Sequence, residues 1–367
     1  MLIDSLYPGG AERALVGLAT SLPRDRYEVT VCATRRHEGT LADEVVAAGL
    51  RYVTLGRRGR FDIAPFWRLL TLLRRERYDV LHAHKFGSNL WGSIIGSLAR
   101  TPVVVAHEHS WSYQGQPLRR FLDGQVIGRL ADTMIAVSSR DRERMTSVEG
   151  VPPSKTTFIP NAFIPPAGGP LEGDLRAELG LAADVPVVGT LAVLRPEKRI
   201  DVLLEAFKIV SDKVPAARLV IGGFGEAKER WEAQAHELGL GDRVHWLGLR
   251  NDGPVVVRAF DVAAMSSERE GMPMFAFEAM AAGKPFVATD VGGLRDIFES
   301  GENAMLVPPG DAQAMAAAIE RLLLDDQLRA SMGSAGRARL TDFGVDRAVE
   351  RITALYESLL AKKKKKR

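Results

Sequence analysis

Short apolar, β-branched runs alternate with amphipathic stretches along the whole 367-residue chain. A run without polar alternation is typical of a strand buried on both faces, and apolar residues at helical spacing indicate a helix that covers a sheet. Repeated alternation of the two predicts α/β units on parallel sheets. Strands are predicted at 2–6, 27–32, 80–83, 103–106, 134–137, 185–191, 218–221, 244–247, 262–265 and 285–288. Helices are predicted between them, at 12–22, 66–76, 203–214 and 227–238.

The length of the chain predicts two domains, because a single core rarely grows beyond about 250–300 residues. A stretch rich in Pro and Gly, 159–170, is typical of an interdomain linker. We therefore expect an N-terminal domain at 1–163 and a C-terminal domain at 164–345. Residues 346–367 are expected to form a last helix and a basic tail. Ligands of doubly wound sheets bind at the carboxyl ends of strands, so the cleft between two such domains is the expected site.

Charge and cysteine content narrow the class of protein. The net charge of +3 depends on six basic residues at 362–367, and the rest of the chain is acidic on balance, which excludes nucleic acid as the expected partner. The tail is either a solvated end or a contact with anionic lipid. The single cysteine, Cys32, excludes an intramolecular disulfide. With neither a signal peptide nor a membrane-spanning run in this sequence, the expected location is cytoplasmic.

The segment with the most chemical information runs from Glu270 to Gly283. Two glutamates, Glu270 and Glu278, flank a Gly-Met-Pro turn, and the second lies in a short predicted helix that ends at Gly283. The backbone N–H groups at the start of such a helix suit an anionic group such as a diphosphate. Each carboxylate can accept hydrogen bonds from two adjacent hydroxyls, which suits a sugar ring or a ribose.

This segment resembles the Glu-x7-Glu motif of the retaining glycosyltransferases of family 4. The likeness continues through 285–293, Asn303 and 306–311. The resemblance implies a GT-B fold, in which two Rossmann-like doubly wound domains face each other across a cleft. It implies a hexosyltransferase-type enzyme that moves a sugar from a nucleotide-diphosphate sugar to an acceptor hydroxyl with retention. The N-terminal domain would bind the acceptor and the C-terminal domain the donor, with no metal and no other cofactor. The resemblance also implies that the last helix, within 346–367, crosses back to the N-terminal domain.

The same resemblance assigns residues to roles. Glu278 would hold the ribose, Glu270 and the backbone of 271–275 would hold the sugar, and Lys198 would face the diphosphate. The catalytic residues that it implies are His109, Lys198 and Glu270. The donor-binding residues that it implies are Gly9, Gly10, Arg195, Lys198, Gly223, Gly225, Leu249, Glu270, Gly271, Met272, Pro273, Met274, Phe275 and Glu278.

One position departs from the pattern of the family. The family usually has an Arg-Leu pair four residues before the Lys, and Val193 occupies the Arg position here. Arg195 lies two residues further along a predicted strand, 187–194, and residues two apart share a face of a strand. We therefore expect Arg195 to substitute for the missing arginine; the alternative for Arg195 is a solvated turn.

Four of the seven histidines form two pairs at strand ends, His82 with His84 and His107 with His109. Two pairs on the same face could hold a metal ion. The family resembled uses none, and it places the equivalent of His109 against the donor sugar. We therefore expect no metal.

Three other functions remain open on the residues alone: a glycoside hydrolase that uses Glu270 and Glu278, a nucleotide-sugar epimerase and a non-catalytic nucleotide-sugar binder. The donor base (UDP, GDP or ADP), the sugar and the acceptor are not assigned by the sequence. Residues 66–77 form an apolar stripe flanked by arginines. This stripe is either a buried helix face, which we favour, or a membrane-surface helix suited to a lipid-linked acceptor. We expect the enzyme to act in the synthesis of cell-surface glycan, glycolipid or polysaccharide.

Overall fold

The computed structural model of the protein describes residues 1–7, 9–35, 40–59, 62–109, 116–165 and 172–365. The chain divides into two compact units. Unit 1 comprises Met1–Ile164 and Phe343–Arg367, and unit 2 comprises Pro165–Asp342. Residues 166–170, the last part of the predicted linker, and the last two residues of the tail lie outside the described residues.

The strands of unit 1 are β1 (Leu2–Ile3), β2 (Thr30–Ala33), β3 (Arg51–Thr54), β4 (Val80–His84), β5 (Val103–Glu108), β6 (Thr133–Ala136) and β7 (Thr156–Phe158). Those of unit 2 are β8 (Val187–Leu191), β9 (Arg218–Gly222), β10 (Val244–Gly248), β11 (Val262–Met265), β12 (Phe286–Thr289) and β13 (Met305–Val307).

The helices of the first segment of unit 1 are α1 (Gly10–Ser21), α2 (Thr40–Ala47), α3 (Ala64–Glu76), α4 (Phe86–Ala99), α5 (Pro117–Phe121), α6 (Gly128–Leu130) and α7 (Ser139–Ser147). Unit 2 contains α8 (Leu175–Glu178), α9 (Ile200–Lys213), α10 (Lys228–Glu237), α11 (Gly253–Arg258), α12 (Met274–Ala281), α13 (Leu294–Ile297), α14 (Ala312–Leu324) and α15 (Asp326–Arg339). The last helix, α16 (Val345–Lys364), belongs to unit 1. Among these described residues, no helix is both long and apolar enough to span a bilayer.

Both sheets are parallel and doubly wound. The strand order is β3-β2-β1-β4-β5-β6-β7 in unit 1 and β10-β9-β8-β11-β12-β13 in unit 2. The order reverses between β1 and β4 in the first sheet and between β8 and β11 in the second. Because ligands of such sheets bind outside the carboxyl ends of the strands at the reversal, these two points are where functional residues are expected. The predicted α/β architecture of two doubly wound sheets is confirmed.

Apolar side chains cover both faces of each sheet, which explains why the central strands lack polar alternation. In unit 2, Phe207 of α9 and Trp231 of α10 pack in one core with Leu219 of β9. In unit 1, α16 contributes Ile352 and Tyr356 to a core with residues of β5 and β6. The last helix is therefore part of the packing of unit 1.

Sequence periodicity located the buried strands better than those at the edges. The segment predicted at 262–265 is β11 without change, and the other predicted strands differ at their ends. The first strand was predicted to reach residue 6 but ends at Ile3. The strands β3, β7 and β13 were not predicted, because they are only three or four residues long and partly exposed.

Candidate active site

Lys198 and Glu270 meet at the reversal point of the unit 2 sheet. Lys198 ends the 3-10 turn that follows β8, and Glu270 lies in the loop that follows β11. The Lys198 Nζ donates to Glu270 Oε1 at 2.6 Å, and the Ser267 hydroxyl donates to the same oxygen, also at 2.6 Å. Ser267 is fully buried, the Glu270 side chain is 8% exposed and that of Lys198 is 22% exposed. The Lys198 ammonium is thus accessible to solvent, whereas the Glu270 carboxylate is held by the buried Ser267 hydroxyl.

The backbones of the two loops are also joined. The N–H of Glu268 donates to the carbonyl of Glu197 at 2.8 Å, and the Ser266 hydroxyl donates to the carbonyl of Lys198 at 2.9 Å. These bonds fix the turn after β8 against the loop after β11. The position of the Lys198 ammonium relative to the Glu270 carboxylate therefore depends on backbone contacts as well as on the ion pair.

The loop after β12 packs against the backbone of Glu270 and Gly271. Gly292 has a φ of +55°, and a Cβ at this position would overlap the carbonyl oxygen of Glu270. The next residue, Gly293, donates its N–H to the carbonyl of Gly271 at 2.7 Å. Glycine is required at residue 292 for two reasons, because the left-handed backbone disfavours other residues and because there is no room for a side chain.

The turn Gly271–Pro273 leads directly into α12. Pro273 is the N-cap residue and supplies no side-chain hydrogen bond to the helix. The first N–H groups of a helix have no partner within the helix, and they carry partial positive charge. Met272 and Phe275 are buried and hold this turn in the core, while Met274 is partly exposed. The start of α12 can therefore bind an anion beside Glu270.

Glu278 lies one turn into α12 and is partly exposed. Its Oε2 would be 3.8 Å from a Cβ at Gly253, the first residue of α11.

Leu249, which follows β10, is 52% exposed, and the residue before it, Gly248, has a φ of +66°. Leu249, which the resemblance assigns to donor binding, thus lies in an exposed turn at the end of β10.

The glycines Gly223 and Gly225 lie against the segment that precedes Lys198. Their φ angles are +134° and +155°, and Cβ atoms there would overlap the carbonyl oxygens of Ala192 and Leu194. The N–H of Leu194 donates to the carbonyl of Phe224 at 2.7 Å. The loop after β9 therefore packs closely on the loop that carries Lys198, as a Gly-x-Gly sequence permits.

Arg195 does not lie on an extended strand with residue 193, as was predicted. β8 ends at Leu191, and the N–H of Arg195 donates to the carbonyl of Val193 at 2.8 Å, which closes a tight turn. Residues 193 and 195 are therefore not alternate positions of one extended strand. Arg195 itself is exposed at the start of the turn that ends with Lys198.

In unit 1, Gly9 and Gly10 lie after β1, and Gly9 is the N-cap residue of α1. The φ of Gly9 is −167°, an extended conformation open to any residue, but a Cβ there would crowd the Glu12 carboxylate. Buried Glu12 accepts a 2.7 Å hydrogen bond from Lys85, which follows β4 on the other side of the reversal point. The sequence analysis missed this pair. The φ of +71° at Lys85 leaves no sign in the sequence.

The four histidines at the ends of β4 and β5 form a buried stack. Ring centroids are 4.2 Å apart for His82 and His84 and 4.3 Å apart for His107 and His109, so residues two apart share a face as predicted. His84 Nδ1 lies 2.9 Å from His109 Nε2, and His82 Nε2 lies 3.2 Å from His107 Nδ1. Burial lowers the pKa of His109 to about 3, with the Lys85 charge adding to the effect and an Asn161 hydrogen bond opposing it. Burial also lowers the pKa of the other three imidazoles, so the stack is neutral at pH 7.

One ring nitrogen from each of His82, His84 and His107 lies within 4.8 Å of the others, close enough for a shared cation. However, His82 Nδ1 lies 2.6 Å from the Tyr356 hydroxyl, and His82 Nε2 is hydrogen-bonded to His107. A metal would have to replace one of these bonds. His82 is thus held by hydrogen bonds at both ring nitrogens, whereas His84 Nε2 and His107 Nε2 have no hydrogen-bond partner among the described residues.

Each of the two units matches a known glycosyltransferase family. A model described as "Glycosyl transferases group 1" matches residues 172–339, and one described as "Glycosyltransferase Family 4" matches residues 8–164. The structure of Anabaena Alr3699/HepE in complex with UDP-glucose is similar, with a TM-score of 0.83 and 26% identity, over 97% of this chain and 98% of that one.

Two relatives with named activities are similar over most of their length. The D-inositol 3-phosphate glycosyltransferase of Corynebacterium jeikeium is 29% identical over 79% of this chain and 75% of its own. The UDP-Gal:alpha-D-GlcNAc-diphosphoundecaprenol alpha-1,3-galactosyltransferase of Escherichia coli is 26% identical over 82% of this chain and 81% of its own. The resemblance read from the motif is thereby confirmed, and the chain belongs to the glycosyltransferases of family 4, with a GT-B fold and a nucleotide-sugar donor.

Proposed function

We propose that the protein transfers a sugar from a nucleotide-diphosphate sugar to an acceptor hydroxyl with retention of the anomeric configuration and without a metal. The observation that carries this proposal is the convergence of Lys198 and Ser267 on one oxygen of Glu270, beside the start of α12. This arrangement joins a cation and a helix N-terminus, which suit a diphosphate, to a carboxylate, which suits sugar hydroxyls.

Each group has a role that follows from its charge. Lys198 and the N–H groups at the start of α12 stabilise the negative charge that grows on the leaving diphosphate. Glu270 and the backbone of 271–275 hold the sugar hydroxyls, and Glu278 holds the ribose hydroxyls. Because Glu270 already orients Lys198 before the donor binds, little rearrangement is needed when the diphosphate arrives.

Unit 1 supplies groups of a different kind. We assign the acceptor to unit 1 and most of the donor-binding residues to unit 2. His109 is neutral because of its burial, so it can hydrogen-bond to a sugar hydroxyl without adding a positive charge. Gly9 and Gly10 at the start of α1 are proposed to bind the donor through backbone N–H groups. Gly223, Gly225 and Leu249 complete the proposed donor site.

The glycosidase alternative requires two carboxyl groups that act as proton donor and nucleophile. Glu270 instead shares a single oxygen between an ammonium group and a hydroxyl. A hydrolase also has no diphosphate for Lys198 to bind. These contacts favour transfer from a nucleotide sugar.

For the donor we propose a UDP-sugar, which the names of the Anabaena and Escherichia coli proteins support.

For the acceptor we propose a lipid-linked glycan at an anionic membrane surface, in cell-surface glycan, glycolipid or polysaccharide synthesis. The Escherichia coli relative acts on a diphosphoundecaprenol-linked sugar according to its name. In α3, Phe66, Leu69 and Leu73 are buried, whereas Trp67 is 68% exposed on the same helix as Arg74 and Arg75. Trp and Arg together are typical of a helix at the membrane interface.

The donor assignment is tested by a thermal-shift screen with UDP-, GDP- and ADP-sugars, with and without EDTA. A ligand of the native state raises the Tm by mass action. We expect a rise with UDP-sugars that EDTA does not change and that is lost in Glu278→Ala. The matched control is Glu237→Ala, at an exposed position in the last turn of α10. A rise that EDTA abolishes would contradict the metal-free mechanism, and no rise with any nucleotide sugar would contradict the donor site.

Two further measurements test the finer parts of the proposal. The anomeric coupling constant in the NMR spectrum of the transfer product reports whether configuration is retained. Sedimentation with phosphatidylglycerol or phosphatidylcholine vesicles reports membrane contact. We expect binding to the anionic vesicles only, with weaker binding for Trp67→Ser.

A further inference from the structure

A second lysine–glutamate pair lies at the reversal point of the unit 1 sheet. The Lys85 Nζ donates to Glu12 Oε1 at 2.7 Å, and the side chains are 45% and 7% exposed. The pair of Lys198 and Glu270 in unit 2 has the same form, with a distance of 2.6 Å and exposures of 22% and 8%. In each unit, a buried carboxylate therefore holds an accessible ammonium group where ligands of a doubly wound sheet bind.

The backbone of Lys85 is held in an unusual conformation between β4 and α4. Its φ is +71° and its ψ is +152°, a region that residues other than glycine rarely adopt. The N–H of Lys85 donates to the carbonyl of His107 at 2.9 Å, and its carbonyl accepts from the N–H of Asn89 at 2.8 Å. Glycine would adopt this backbone without strain, which indicates that the lysine side chain has a role at this position.

The first turn of α4 supplies further hydrogen-bond donors beside Lys85. The first N–H groups of a helix have no partner within the helix, and Lys85, the N-cap residue, makes no side-chain cap. A Cβ at Gly87 would meet no atom of the described residues within 4 Å, so there is open space beside this turn. The Ser88 hydroxyl is buried and has no hydrogen-bond partner in the described part of the chain. An ammonium, backbone N–H groups and a hydroxyl thus lie within four consecutive residues.

These groups together suit a ligand with several negatively charged oxygens. The bond to Glu12 uses one of the three N–H groups of the Lys85 ammonium. The start of a 14-residue helix adds partial positive charge and backbone donors, which favour a phosphoryl group. A lysine ammonium contacts phosphate as a point charge. A neutral sugar hydroxyl would not require the cation.

We propose that the turn at residues 85–88 binds a phosphoryl group of the acceptor. This inference rests on the proposed function, which assigns the acceptor to unit 1 and makes it lipid-linked. The phosphoryl group is then the one that joins the lipid to the sugar. A soluble sugar phosphate presents the same group, so the test includes a probe for each of these two sources.

The test titrates the full chain, saturated with UDP to fill the donor site, with inorganic phosphate, glucose 1-phosphate and farnesyl phosphate, followed by ³¹P NMR. All three probes are expected to bind, and the tighter of the two esters identifies the source of the phosphoryl group. Glu12→Gln removes the competing carboxylate and is expected to tighten phosphate binding about 3- to 10-fold. Lys85→Met combined with Glu12→Gln leaves no buried carboxylate unpaired and is expected to bind phosphate at least about tenfold more weakly than Glu12→Gln alone.

Two further variants locate the site. Gly87→Leu fills the open space beside the first turn and is expected to block all three probes without lowering the Tm. The matched control is Lys363→Met, because the Lys363 side chain is 44% exposed and its Nζ lies 2.6 Å from Asp132. This control is expected to bind the probes as the unchanged chain does.

The affinity for UDP is expected to stay the same in all these variants. The proposal would be overturned if no probe bound to the unchanged chain, or if removal of Lys85 left phosphate binding as it is in Glu12→Gln. A loss of UDP binding on removal of Lys85 would also overturn it, since the turn would then belong to the donor site. Failure of the proposed function is distinguishable, because UDP would not bind to the unchanged chain, whereas the phosphate titrations would still report on Lys85.

Discussion

The Nζ of Lys198 lies 2.6 Å from Oε1 of Glu270, although the two residues are 72 positions apart in the sequence. The order of the strands explains this contact. Lys198 follows β8 and Glu270 follows β11, and these two strands are neighbours at the point where the sheet reverses. Because both strands are parallel, their carboxyl ends bring the two loops to the same edge. The site is thus assembled by topology, and one ion pair fixes its charged groups.

Lys198→Met removes the cation and is expected to lower kcat/KM for the nucleotide sugar by about 10²–10³-fold, in the range measured when one group that stabilises developing negative charge is removed. Lys198→Arg keeps the charge but changes its geometry, and we expect it to recover only part of the activity. Steady-state kinetics with a UDP-sugar measure both.

The matched control for this variant is Lys213→Met. Lys213 also contacts a glutamate at 2.7 Å, but its partner is Glu320 of α14 and the Lys213 side chain is 57% exposed. It is expected to retain the activity of the unchanged chain. Equal losses in the two lysine variants would show that the effect comes from a lost ion pair and not from the diphosphate.

Ser267→Ala tests whether the buried hydroxyl positions Glu270. A hydrogen bond to a charged group contributes about 1.5–3 kcal/mol, so loss of this one is expected to lower kcat by about 10- to 100-fold. Donor affinity measured by calorimetry should change much less, because Lys198 and α12 remain. Ser267→Cys keeps a weak donor and is expected to recover part of kcat. A loss of donor affinity as large as the loss of kcat would contradict a positioning role.

The sequence predicted the charged groups of this site better than the contacts that hold them. Glu270, Glu278 and Lys198 stand out because they lie in a recognisable motif or beside it. The same motif does not show that Ser267 and Lys198 share one oxygen, because this depends on how two loops fold over each other. Arg195 was placed on an extended strand for the same reason, because the sequence does not show that the backbone turns there.

Unit 1 shows the same division between local pattern and tertiary contact. The spacing of two within each histidine pair was enough to place both rings on one face of a strand. It could not show that His82 is bonded to Tyr356, a residue 274 positions away. The pair of Glu12 with Lys85 was missed because a buried charge leaves no periodic signal when its partner is distant in the sequence.

Gly292→Ala is expected to disturb the site through the backbone. A Cβ at this position would overlap the carbonyl oxygen of Glu270, and the left-handed conformation alone costs about 1–2 kcal/mol for a residue other than glycine. We expect a lower Tm and a loss of kcat, since the loop must move and Glu270 moves with it. Thermal unfolding and transfer kinetics measure the two effects.

Gly239→Ala separates these two causes. Gly239 has a φ of +68° in the same unit, but a Cβ there has no atom of the described chain within 4 Å. It is expected to lower the Tm to a similar or smaller degree without affecting kcat. A loss of kcat in both glycine variants would assign the effect to general destabilisation.

Tyr356→Phe is expected to destabilise unit 1 by about 1–3 kcal/mol. The hydroxyl lies 2.6 Å from His82 Nδ1 in a buried setting, so its removal leaves a polar atom of His82 without this partner. Urea unfolding measures the change. The control is Tyr27→Phe, whose hydroxyl lies 3.4 Å from exposed Glu357 and is expected to contribute little. Equal stability of the two variants would contradict the structural role of the His82 contact.

The buried amino group of Met1 is expected to make the free energy of unfolding depend on pH between 6 and 8. Burial lowers its pKa from 8.0 to about 6, with the nearby Cys32 opposing the shift. Burial raises the pKa of Cys32 itself to about 12, so this thiol does not titrate in the same range. The unfolded chain therefore binds more protons than the folded chain between the two values, and stability rises with pH across this window.

The size of this effect follows from the shift of about two pKa units, which corresponds to about 2–3 kcal/mol. The stabilisation is complete above pH 8 and is lost as the pH falls through 6. The buried histidines add a further loss, which is already under way at pH 6.5 because the unfolded imidazoles are then about half-protonated. Urea unfolding at pH 7.0, 7.5 and 8.0, compared with and without selective acetylation of the N-terminus, isolates the amino group. Acetylation removes the titration of this group and should reduce the slope of stability against pH in this range. An unchanged slope after acetylation would show that another group is responsible.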